Sequence, residues 1–267
     1  MNLGTVEAAL FSTATAAYVI AMGLAVFSRW RNLVLGLLVV GVALMTGGLA
    51  LRWAVLGYGP FTTLYEVLAS SLWSLSLIYL IVYARMPGLR GTAPLVLPVL
   101  VLLAGWMLGV DCSAGHLPPT FDTWMLYVHS AFGKLFLGLL MVSAAAAAVL
   151  VARQTLASLT FEDMPPDAEL MELSYRFAAF AFVFDTLMLI IGAIWAQDAW
   201  GRYWAWDPLE TWAFLTWLAL AFGLHLKIWL RPPAVVWSAM VTAVFVLAFV
   251  TFFGVPFVSD VPHKGVF

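Results

Sequence analysis

The residues best able to do chemistry are one aromatic stretch and four histidines. From Trp195 to Trp217 the chain reads W-A-Q-D-A-W-G-R-Y-W-A-W-D-P-L-E-T-W-A-F-L-T-W. Six tryptophans stand there with Tyr203 and the charged residues Asp198, Arg202, Asp207 and Glu210. Ionised side chains cost roughly 2.5–3.5 kcal/mol each at the centre of a membrane helix, so the stretch sits badly in hydrocarbon. Indole surface is equally costly to leave in water. A platform for a flat, largely apolar molecule with a polar edge satisfies both constraints. An interfacial aromatic belt is the plainer alternative, but it leaves the interleaved Asp-Pro and Glu unexplained.

The histidines are His116, His129, His225 and His263. His129 falls about 9 Å inside the fifth apolar span, at 1.5 Å per residue, on the same side as the tryptophan loop. His263 lies in the short tail on that side. Neutral imidazole is a common axial ligand of haem iron, and two from opposite faces give a six-coordinate site. A macrocycle stacked on indoles between His129 and His263 accounts for all these residues together. His225 sits deeper, about 21 Å into the seventh span; it either ligates haem on a path across the membrane or bonds a neighbouring helix. Lys134 and Asp185 fall about 16 and 18 Å deep, and are expected to form an interhelical ion pair. No role is assigned to His116. Cys112 is the single cysteine, which excludes an intrachain disulfide and a Cys-rich metal site.

The elements that must position these residues are membrane helices. Of 267 residues, 64% are hydrophobic and 10% charged, against about 25% charged in soluble domains. The chain is therefore read as an all-α, polytopic integral membrane protein, one membrane domain over 1–267 with the aromatic loop at about 195–212. Apolar runs give eight spans near 6–27, 33–54, 64–84, 94–111, 123–152, 173–196, 211–230 and 235–256. The opening residues lack a basic leader and cleavage site, so the first span is expected to be retained. Arg29, Arg31, Arg85, Arg90, Arg153, Lys227 and Arg231 flank one side, against Arg52, Arg202 and Lys264 on the other. By the positive-inside rule both termini and the aromatic loop face outward. The acids of 154–172 read as a solvated loop. No basic patch suggests nucleic acid.

The W-A-Q-D-A-W-G-R-Y-W-A-W-D-P-L-E-T-W stretch resembles the tryptophan-rich "WWD" signature of haem-handling proteins of cytochrome c maturation, a superfamily that includes CcmC, CcmF and CcsA. Its W-D-P-x-E-T-W ending and the following helix with His225 look like the CcsA (ResC) family. R-W-A-V-L-G-Y-G-P-F-T-T-L-Y-E from Arg52 and the terminal F-F-G-V-P-F…H are similar to two further segments of that family. Leu209, Thr63, Pro256 and the H-K-G ending depart from its usual residues. The resemblance implies the haem-handling subunit of a system II cytochrome c synthase (haem lyase). Such a subunit presents haem b on the outer face for thioether attachment to the C-x-x-C-H motif of apocytochrome c. It implies His129 and His263 as external axial ligands and His225 as a transmembrane haem histidine. Trp200, Tyr203, Trp204, Trp206 and Trp212 would wall the porphyrin, Arg202 would meet a propionate, and Asp207 and Glu210 would orient the loop. A CcsB (ResB)-type membrane partner and, indirectly, a thioredoxin-like thiol reductant are implied as well. The setting would be the cytoplasmic (inner) membrane, or a thylakoid membrane in a plastid. Two rivals are a haem exporter serving a chaperone, as CcmC-type proteins do, and a membrane carrier of electrons through haem or quinone.

Overall fold

The computed structural model describes residues 3–155, 161 and 163–258. Eight of its helices are long and apolar enough to cross a membrane, as the hydropathy pattern predicts, and no strand occurs among the described residues. The chain is a multi-pass membrane protein. Its helices form two compact units, the described residues of 3–117 in the first and those of 118–155 with 166–258 in the second.

The first unit holds α1 (Leu3–Leu24), α2 (Arg31–Leu56), α3 (Leu64–Arg85) and α4 (Ala93–Gly109). Small residues let α1 and α2 approach closely. A Cβ at Gly48 would meet the Phe11 ring at 2.5 Å, and one at Gly41 would overlap the ring of Tyr18. Polar side chains then bond across helices: Tyr18 to Ser76 at 2.9 Å, Trp73 to Thr46 at 2.8 Å and Tyr79 with Thr92 at 3.0 Å.

One end of this unit is tied by a buried ionic cluster. Arg52 donates from Nε and Nη2 to Glu66 Oε1 (3.0 and 2.9 Å) and from Nη1 to Glu7 (3.0 Å). Its remaining donors reach the carbonyls of Cys112 and Ser113, and its guanidinium lies 4.9 Å from the Tyr65 ring centre. The other oxygen of Glu66 accepts from the Thr62 N–H and hydroxyl and from the Thr63 N–H. Thr63 in turn caps α3 by accepting from the Glu66 N–H, which completes a reciprocal capping box. Every charge is paired and hydrogen-bonded, the condition under which burial of ions is tolerated. The R-W…Y-E segment thus has a physical role: it joins α1, α2, α3 and the 110–116 loop.

The second unit holds α5 (Trp124–Thr155), α6 (Asp167–Trp200), α7 (Pro208–Leu230), α8 (Ala234–Phe253) and the short α9 (Val255–Val258). Helix α5 runs along α6 and also against α8, which buries its Ala144–Ala147 run completely between neighbours. Ser143 and Ser174 exchange hydroxyl-to-carbonyl bonds of 2.7 and 3.0 Å, and Trp237 of α8 donates to Ser174 at 2.9 Å.

Two expectations change here. The acidic segment before the sixth span is partly helical: α6 begins at Asp167, with Asp167 and Glu169 in its first turn. Carboxylates there complement the helix dipole, and Arg153 pairs with Asp167 at 2.6 Å. The second change concerns Lys134 and Asp185. Both carboxylate oxygens of Asp185 are buried and have no hydrogen-bond partner, so the expected pair is not made. Register explains this. His129 faces α6, and Lys134, five residues later at 100° per residue, points about 140° away from that face. Asp185 belongs to the stripe Ser174, Ala178, Ala181, Asp185, Met188 that α6 buries.

Candidate functional site

His129 lies near the start of α5 and is held by α6. Its Nδ1 is 3.0 Å from the carbonyl oxygen of Met188. A carbonyl only accepts, so Nδ1 carries a proton, and in the neutral ring the lone pair is on Nε2. This is the arrangement in which a metal-binding histidine is oriented by a backbone carbonyl. Gly192, one turn further along α6, makes room for the ring: a Cβ there would stand 2.9 Å from His129 Cε1 and 3.0 Å from Nδ1. Beside the imidazole lies Trp195, ring centres 5.9 Å apart, and Trp200 follows at 5.6 Å from Trp195. Trp195 is itself fixed, donating to the Thr120 carbonyl at 2.9 Å and meeting Phe121 edge-to-face at 4.8 Å.

The tryptophan stretch is therefore only in part a loop. Trp195 and Trp200 occupy the last turns of α6, which ends at Gly201 with φ +73°, and Trp212 lies in the first turns of α7. The loop proper is 201–207. Asp207 is the N-cap of α7, accepting from the Glu210 N–H at 2.9 Å, with Pro208 at the first helical position. The Glu210 carboxylate reaches back to the Ala205 N–H at 2.7 Å. These two bonds grip either side of Trp206, whose φ of +60° is a left-handed conformation rare for an aromatic residue. Such strain costs on the order of 1–3 kcal/mol and persists where surrounding structure enforces it, often at functional sites. Here it turns Trp206 outward, 68% exposed, while Trp204 packs edge-to-face against it at 5.7 Å and against Phe214 at 6.0 Å. Phe214 and Trp217 stack at 5.9 Å. The Trp204 Nε1 is buried and has no hydrogen-bond partner, whereas Tyr203 and Arg202 are exposed. Arg202 makes no hydrogen bond or ion pair among the described residues.

Asp207 and Glu210 thus act on the backbone of the loop. Replacing Glu210 by alanine removes a hydrogen bond to a carboxylate, a loss of about 1.5–3 kcal/mol. The expected result is a relaxed Trp206, seen as a weakened near-UV circular dichroism signal with helix content unchanged.

His225 lies on α7 with its Nδ1 2.7 Å from the Ala221 carbonyl, to which it donates. Its ring is exposed on the helix surface beside the exposed Phe222. His263 lies outside the described residues. Met188 and Gly192 are the site residues that sequence reasoning missed; glycine three residues before Trp195 was the available signal.

A family described as "Cytochrome C assembly protein" matches residues 61–263, three quarters of the chain. The chain belongs to this cytochrome c assembly family. It is 32% identical over 272 residues to the cytochrome c biogenesis protein CcsA of Prochlorococcus marinus (strain MIT 9312), covering 90% of this chain and 87% of that protein. With CcsA of Trachelium caeruleum it shares 30% over 251 residues, 79% of this chain and 78% of the relative. A solved structure named cytochrome c heme lyase CcmF superposes with a TM-score of 0.76 at 20% identity. That match covers 95% of this chain but 47% of CcmF, so the chain spans about half of that structure's length, and the likeness establishes a shared fold. The aromatic stretch and His129 fall inside the matched family region.

Proposed function

We propose that this cytochrome c assembly protein receives haem b as cargo and presents it on the outer face of its membrane to apocytochrome c. The observation that carries this reading is the seat of His129. An imidazole whose Nδ1 donates to the Met188 carbonyl lies beside Trp195 in a niche that Gly192 keeps open. The residues fit a haem. Besides the imidazole, the loop offers an exposed indole and phenol for the porphyrin face and an unpaired guanidinium for a propionate.

His129 and His263 are the proposed axial ligands at this face. Trp200, Tyr203, Trp204, Trp206 and Trp212 line the macrocycle, Arg202 meets a propionate, and Asp207 with Glu210 hold the loop in shape. His225, exposed on α7, is the proposed ligand of a second haem position, completed by a histidine from a CcsB-type partner. Attachment adds the S–H of each C-x-x-C-H cysteine across one haem vinyl group. Sulfur bonds one carbon and hydrogen the other, with no net oxidation. The cofactor supplies that reactivity, while the chain supplies orientation and exclusion of stray ligands.

Co-expression with a CcsB-type protein and an apocytochrome c, in a host lacking its own maturation system, tests the reading. Covalent haem on a denaturing gel is expected with the wild type, to fall by at least about tenfold in His129→Ala, and to recover partly with added imidazole. Wild-type yield from His129→Ala would overturn it.

A further inference from the structure

The first unit carries a second concentration of charge, at the end opposite the Arg52 cluster. The turn between α1 and α2 brings Arg29 and Arg31 together, and the turn between α3 and α4 brings Arg85 and Arg90. Tyr83 joins the two turns: its hydroxyl donates to the Arg31 carbonyl at 3.0 Å, and its own carbonyl accepts from Arg90 Nε at 3.0 Å. The Arg90 guanidinium also lies 5.3 Å from the Tyr83 ring centre. Arg90 is thereby held by its Nε and its face, while both Nη groups have no hydrogen-bond acceptor among the described residues. Arg31 is paired with Asp163 at 2.8 Å. Arg29 and Arg85 make no hydrogen bond or ion pair there, and Arg29 stacks between Phe27 and Trp30, 5.4 and 5.5 Å from their ring centres. Both of those rings are exposed.

Solvated flanking charges of the ordinary positive-inside kind need no fixed geometry. Here one guanidinium is immobilised at two points with its fork open, the form suited to bidentate recognition of a phosphate. Exposed Phe27 and Trp30 mark the depth at which aromatic rings meet the interface. We infer that the Arg29–Arg90 end of the first unit binds the headgroup of an anionic phospholipid. Arg90 and Arg29 contact the phosphate, Arg85 adds to the field, and Phe27 and Trp30 lie along the upper acyl chains.

Native mass spectrometry of the detergent-solubilised full chain, titrated with phosphatidylglycerol or phosphatidylcholine of identical acyl chains, tests this inference. Phosphatidylglycerol is expected to bind at least about tenfold more tightly. Arg29→Ala and Arg90→Ala are each expected to weaken it about fivefold, while Lys227→Ala on α7 leaves it unchanged. Arg29 is exposed, so its variant decides the matter even if Arg90→Ala fails to fold. Equal binding of the two lipids would overturn the inference. So would insensitivity to Arg29→Ala, or displacement of the lipid by equimolar inorganic phosphate.

Discussion

Gly192→Ala is expected to weaken haem binding by about 10–100-fold while the helices stay folded, the loss typical when the group orienting a metal ligand is disturbed. The added methyl would stand 2.9 Å from His129 Cε1, too close for the ring to remain where it is. The imidazole must shift, which disturbs its bond to the Met188 carbonyl and its place beside Trp195. Because the niche closes from the α6 side, no ligand atom is removed, and the effect separates geometry from ligand chemistry. A Soret titration of the purified variant measures it, with Gly105→Ala as the control because a Cβ there meets nothing within 4 Å. Unchanged affinity in Gly192→Ala would mean that His129, as seated here, does not hold the iron.

The second large effect is on stability. Glu66→Ala leaves Arg52 buried with half of its charge compensation gone, and breaking such a pair typically costs about 3–5 kcal/mol. Glu66 is fully buried and accepts from Arg52, Thr62 and Thr63, so the loss also frees the N-terminus of α3. Thermal unfolding in detergent is expected to drop by roughly 10 °C. Arg52→Lys is not expected to substitute, since an ammonium cannot reproduce the guanidinium fork that reaches Glu66, Glu7 and two carbonyls. Arg52→Met combined with Glu66→Leu and Glu7→Gln should recover much of the loss, because it removes all three charges together. A Glu66→Ala melt equal to the wild type would show that the cluster contributes little.

The sequence made the helices legible because a bilayer demands long apolar runs, and all eight stand close to where hydropathy puts them. Helix ends were less legible. Trp200 reads as loop beside Gly201 and Arg202, yet it closes α6, since an end is set by the left-handed Gly201 and not by hydropathy. The tryptophans and His129 announced themselves by residue type. The niche at Gly192 did not, because it depends on the register of α5 against α6. The same register defeats the Lys134–Asp185 pair: equal depth brings two residues to one level, but only helix phase decides whether they face each other. Arg52 looked like a flanking charge, and its partnership with Glu7 and Glu66 needs three helices in place.

The most direct measurement is the visible absorption spectrum of the detergent-purified chain, alone and as His129→Ala. The wild type is expected to carry haem with the sharp α and β bands of low-spin, six-coordinate iron after reduction. In His129→Ala these bands should vanish or give way to a high-spin spectrum, and added imidazole should restore them in part. A haem spectrum identical in both proteins, or a wild type that binds no haem even with its CcsB-type partner present, would contradict the account.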